Sequence, residues 1–147
     1  MFSTVDFEKI HWHDNAIHGF RILEGEHCGD LAFDIDYITE WLSPVEGAFS
    51  FRVAPSDLTF HEVSDLIISI NYAAATAAVQ PMAIHEIHRE VVTYPNGYAS
   101  FAWKIELNWP PNSHFSFQSS GFTQHQRMEP ITTGSQYLSP TDRSHDL

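Results

Sequence analysis

Residues Ile84–Leu107 read IHEIHREVVTYPNGYASFAWKIEL, and this stretch decides the fold. Its centre, Pro95-Asn96-Gly97, has proline at the first turn position, asparagine at the second, and glycine where φ must be positive. That order suits a type I turn followed by a glycine bulge, joining two antiparallel strands. In the return strand Ala99, Phe101, Trp103, Ile105 and Leu107 fall on one face. Tyr98, Ser100, Lys104 and Glu106 fall on the other. A period of two residues is the mark of a strand with one buried side.

Working outward, the same period recurs on both sides of the hairpin. Leu31, Phe33, Ile35 and Tyr37 alternate with Ala32, Asp34 and Asp36. An earlier strand is predicted over Ala16–Leu23, ending at Glu24-Gly25-Glu26. Ala48–Val53 predicts another, with Phe49, Phe51 and Val53 inward, and Pro55-Ser56-Asp57 is expected to break it. Leu58–His61 predicts a short strand. Leu66–Tyr72 predicts a stronger one, with Leu66, Ile68, Ile70 and Tyr72 on one face. The alanine-rich 73–79 is expected to hold no more than a helical turn, too short to stand alone. Pro110-Pro111-Asn112 ends the return strand, and His114–Gln126 forms the last one. Gln136, Tyr137 and Leu138 are expected to dock on the core. The fold class is mainly β with little helix: an antiparallel sandwich or open barrel of seven to eight strands.

The chain of 147 residues fits a single domain over 1–147, with 139–147 as a mobile tail. Its 43% apolar content, including eleven phenylalanines, suffices for a packed core without disulfides or structural metal. Nineteen acids against seven bases give a net charge of −12. Such a surface repels phosphate backbones and anionic lipid, which argues against nucleic-acid and membrane partners and for a basic protein or a cation. The lone cysteine, Cys28, rules out an internal disulfide and suits a reducing cytoplasm. The acid-bearing first ten residues do not read as a signal peptide, and no apolar run approaches a membrane span.

Three polar groups bear on chemistry. The densest is His11-Trp12-His13-Asp14, with His18 close behind. Imidazoles two positions apart share a face in an extended chain, and a carboxylate completes a set suited to a divalent transition metal. His11, His13 and Asp14 are therefore the candidate metal ligands. A polar loop entering the first strand, anchored by Trp12, is the structural alternative and the commoner case. Asp34 and Asp36 form the second group, about 7 Å apart on one strand face. If Ala16–Leu23 pairs with the strand from Leu31, one pocket holds His11, His13, Asp14, Asp36 and Trp41. Trp12, Asp34, Asp36 and Trp41 are the candidate binding residues. The third group is His85, Glu86, His88, Arg89 and Glu90. Strand alternation puts His85 and Arg89 on one face and the others opposite, as a surface ladder of charge pairs. No nucleophile elbow or phosphate-binding glycine loop occurs, and nothing near Cys28 activates its thiol.

The motifs Trp12-His13-Asp14 with Ile17-His18, Phe33-Asp34-Ile35-Asp36-Tyr37-Ile38 with Trp41, and Ala54-Pro55 with Leu58-Thr59-Phe60 and Asp65-Leu66 resemble a family of small uncharacterised bacterial proteins. Gly121-Phe122, Gln124, Arg127, Pro130, Gln136 and Leu138 extend the likeness toward the C-terminus. The resemblance implies a β-rich bacterial domain and no particular reaction. By analogy, some small acidic bacterial proteins serve as immunity factors against toxins. Three functions are thus open: a non-enzymatic binding module for a basic partner protein, a metal-binding protein or metal-dependent enzyme using the His-Trp-His-Asp segment, and a small-molecule carrier with an apolar cavity.

Overall fold

The computed structural model describes residues 1–45 and 48–143. The strands are β1 (Phe2–Ser3), β2 (Ala16–Leu23), β3 (Gly29–Val45), β4 (Ala48–Ser69), β5 (Met82–Thr93), β6 (Ala99–Trp109), β7 (Ser113–Ser119), β8 (Gly121–Gln126) and β9 (Ile131–Thr133). A 3-10 helix spans Thr4–Lys9, and one turn of α-helix, α1, spans Pro140–Arg143. The mainly β architecture with little helix is what the residue alternation demands. Nine strands stand against the seven to eight expected: the strands expected at 48–53, 58–61 and 66–72 run together as β4, the one expected over His114–Gln126 divides into β7 and β8, and the two-residue β1 and three-residue β9 are too short to show a period.

All strand pairings among the described residues are antiparallel. The order β4-β3-β2-β5-β6-β7 returns to β4, so the sheet closes on itself. β4 is the spine. One edge carries β3. The other takes β9 at Phe51–Val53, then β8 at Ser56–His61, then β7 at Ser64–Ser69. The ring is thinnest between β2 and β5, which pair only at Ala16 and Ile17.

The inward face read from the sequence is the core. Leu31, Phe33, Ile35, Tyr37, Trp103, Ile105, Leu107, Phe115 and Phe117 are buried together with Leu58, Phe60 and Phe122. Phe60 sits at its centre, with ring centroids 4.8 Å from Phe117 and 5.0 Å from Trp103, both edge-on. Each such buried ring stabilises the fold by roughly 1.5–3 kcal/mol, and favourable edge-to-face pairs add about 0.5–1.5 kcal/mol. A second, smaller core lies on the outer face of β3 and β4. There Ile38, Phe51, Val53 and Leu138 cluster beneath the chain from Ile131 onward.

Several local expectations are corrected. Pro55 does not end its strand. Its carbonyl accepts the Arg127 amide on the β8 side. The missing N–H therefore falls in the gap between β8 and β9, where the ladder needs no donor. Phe49 is exposed and has no place in the cluster with Ile38 and Leu138 that buries Phe51 and Val53. Leu66–Ser69 is the far end of β4 rather than a separate strand, reached through left-handed residues at Glu62 and Asp65. Ile68 is partly exposed there, while Leu66 and Ile70 pack on the core. The 73–79 stretch forms turns, with Ala78 at φ 62°. Across the hairpin, pairing shifts between Ile84 and Glu86, so Ile84 and Ile87 are both buried. The bulge separates His85 from Arg89, which turns inward over Phe7 and Phe101. The Pro95-Asn96-Gly97 turn is as expected, with Gly97 at φ 85° and Tyr94 N–H donating to Tyr98 O at 2.8 Å.

Candidate functional site

Alternation along β3 turns Asp34 and Asp36 away from the main core. The chain after β9 folds over them. Asp36 is wholly buried and accepts three hydrogen bonds: from the Leu138 amide at 2.8 Å, from His18 Nε2 at 2.7 Å, and from Arg143 Nη1. Asp34 accepts from Arg127 Nη2 at 2.9 Å and from Arg143 Nη2. Arg127 also reaches Asp57 Oδ1 at 2.7 Å. Burial raises the Asp34 carboxyl, but hydrogen bonds and charge from Arg143 and Arg127 outweigh it and hold the group below its ordinary value. His18 is pulled down to about 4, first by burial and then by Arg143, against the opposing pull of Asp34. The imidazolium form loses its hydration under the C-terminal segment, and the Arg143 guanidinium beside it adds repulsion.

The His11–Asp14 loop closes one end of the barrel. Trp12 is buried, its indole N–H donating to Gln124 Oε1 at 2.8 Å and its ring packed against Phe7 and Phe122. This is the anchoring role of the structural alternative. Around it runs a cleft of about 550 Å³, lined by His11, His13, His85 and His88 together with Glu8, Glu86 and Arg89. His13 Nδ1 lies 2.8 Å from the His85 carbonyl oxygen, and His13 Nε2 lies 3.4 Å from Asp14 Oδ2. Asp14, held at φ 65°, accepts from Asn108 Nδ2 at 2.8 Å and from Gln136 Nε2 at 3.3 Å. Among the described residues no three His, Cys, Asp or Glu side chains form a group able to hold a metal ion.

The pairing inferred from sequence is present, with Ala16 opposite Asp36. The single pocket built on it divides into three places. His11 and His13 line the end cleft, with Asp14 beside His13. Asp36 lies beneath the C-terminal segment with Asp34 and His18. Trp41 is exposed on the outer face, edge-on to Phe51 at 4.9 Å. Gln136 and Leu138 bridge the first two, one bonded to Asp14 and the other to Asp36. Of the stretch 139–147, read as a mobile tail, Arg143 is tied to both aspartates and 144–147 lie outside the described residues. No local pattern in the sequence assigns Arg127 and Arg143 to Asp34 and Asp36. Their scarcity in so acidic a chain was the available signal. The third polar group does form a ladder, with His88 Nε2 3.0 Å from Glu106 and Lys104 Nζ 3.9 Å from the same carboxylate.

Known family models, characterised proteins and solved structures offer no match to this chain.

Proposed function

We propose that this chain is a non-enzymatic binding module whose acidic exterior receives a basic partner protein, as a small immunity factor receives its toxin. The observation that carries this is how its cations are placed. In a chain of net charge −12 with seven lysines and arginines, Arg127 and Arg143 are turned onto Asp34, Asp36 and Asp57 and Arg89 lies over aromatic rings, which leaves Lys9, Arg21, Arg52 and Lys104 as the exposed cations. Glu24, Glu26, Glu62, Asp65 and Glu90 stand exposed. An exterior of this sign steers cationic proteins and speeds their association. The resemblance to small bacterial proteins and the immunity analogy fit this reading.

Co-expression with the products of neighbouring genes tests it. The expected result is a stoichiometric complex with a basic protein, whose association rate falls steeply as salt is raised. A complex indifferent to salt, or none with any basic neighbour, overturns the reading.

A further inference from the structure

We infer that the free edge of β2, from Gly19 to Leu23, receives an extended basic segment of the partner by strand addition. This rests on the binding-module reading and locates its contact.

β2 pairs with β3 along its whole length, but β5 leaves it after Ile17. Among the described residues no strand takes the edge from there to Leu23. A row of backbone donors and acceptors is thus open to another chain.

The core is unroofed at the same place. Cross-strand partners share a face, and Phe20, Ile22 and Ile68 lie opposite the buried Phe33, Leu31 and Phe115. All three therefore point to the core side. Yet Ile22 is 62% exposed and Phe20 and Ile68 are each 37% exposed. Phe20 closes part of the gap by meeting Phe115 edge-on at 5.0 Å. Beside it lies a cleft of about 280 Å³ lined by Ile22, Leu31 and Leu66 with Asp30 and Asp65.

Charge selects the occupant. Glu24, Glu26, Asp30, Glu62 and Asp65 crowd the β2–β3 turn and the adjoining bend of β4, against Arg21. A strand with apolar side chains facing inward and lysines or arginines facing these carboxylates is complementary. A second copy of this chain would bring the same acids to its own edge and be repelled.

The test uses the full chain, isotope-labelled for NMR, and two capped eight-residue probes. One alternates lysine with valine and the other alternates glutamate with valine. Saturable shifts at residues 19–23 and 63–66 are expected with the lysine peptide and none with the glutamate peptide. Ile22→Lys, at an exposed position, should keep the spectrum of the fold and lose those shifts. Arg21→Glu should strengthen them. Shifts confined to other acidic surfaces, no shifts at all, or equal response to both peptides overturn the inference. So does concentration-dependent dimerisation through 19–23 without peptide. The basic partner separates the two claims. If it binds Ile22→Lys as well as the wild type, the edge is wrong and the module reading stands. If no basic protein binds the wild type, the module reading falls.

Discussion

Two histidine–carboxylate contacts on this molecule use the same residue types and come to opposite ends. His18 and Asp36 meet at 2.7 Å under the C-terminal segment, with Asp36 wholly buried. His13 and Asp14 lie 3.4 Å apart beside an open cleft, with the His13 side chain 58% exposed. The first pair is completed by two arginines and a backbone amide. The second has only neutral partners, Asn108 and Gln136 on Asp14 and the His85 carbonyl on His13, and its imidazole stands mostly in the open. Covering, more than residue type, decides whether such a pair holds a fold together or merely decorates it.

The sharpest way to break this contrast is Asp36→Ala. It strips the acceptor from Leu138, His18 and Arg143 and leaves Arg143 facing Asp34 alone. Removing one member of a buried ionic set costs about 3–5 kcal/mol, so the denaturant midpoint should fall by a corresponding amount. A change near zero would mean that the C-terminal segment does not seal this site.

Acid sharpens the comparison next. Between pH 6.5 and about 4 an unfolded chain protonates His18 while the folded chain refuses the proton. The unfolded state therefore binds more protons, and stability falls as pH drops through that window. His18→Gln keeps a donor for Asp36 and has nothing to titrate. Its stability should decline less than that of the wild type between about pH 7 and pH 4.5, as read by urea unfolding at each pH. Parallel declines would place the acid sensitivity elsewhere.

The smallest effect belongs to the other pair. His13→Ala, at an exposed position, should change stability by no more than about 0.5 kcal/mol. A loss comparable to that of Asp36→Ala would erase the distinction between the two regions.

The alternation at 31–37 foretold both the buried Phe33 and Ile35 and the outward placement of Asp34 and Asp36. It could not say that the outward face would be covered. That depends on Leu138 and Arg143, more than a hundred residues away, and no local period records so distant a contact. Leu138 left a trace, as an apolar residue in a stretch of serine, threonine and proline. The bulge at His85 left none, since one inserted residue shifts the phase of the strand without changing its composition. Pro55 misled for a related reason. Its meaning depends on which edge of β4 its nitrogen faces, a matter of partners rather than of sequence.

The spine role of β4 carries a consequence for biosynthesis. β3 and β4 are complete once residue 69 has been made, but the strands for the far edge of β4 lie within 113–133. At about 5–20 residues per second, that edge stays unpaired on the ribosome for several seconds. During this interval the nascent chain exposes a long, partly apolar border to any other extended polypeptide. The exposed acids that interrupt it, Glu62 and Asp65, are then a safeguard for the half-made protein as much as a feature of the finished one.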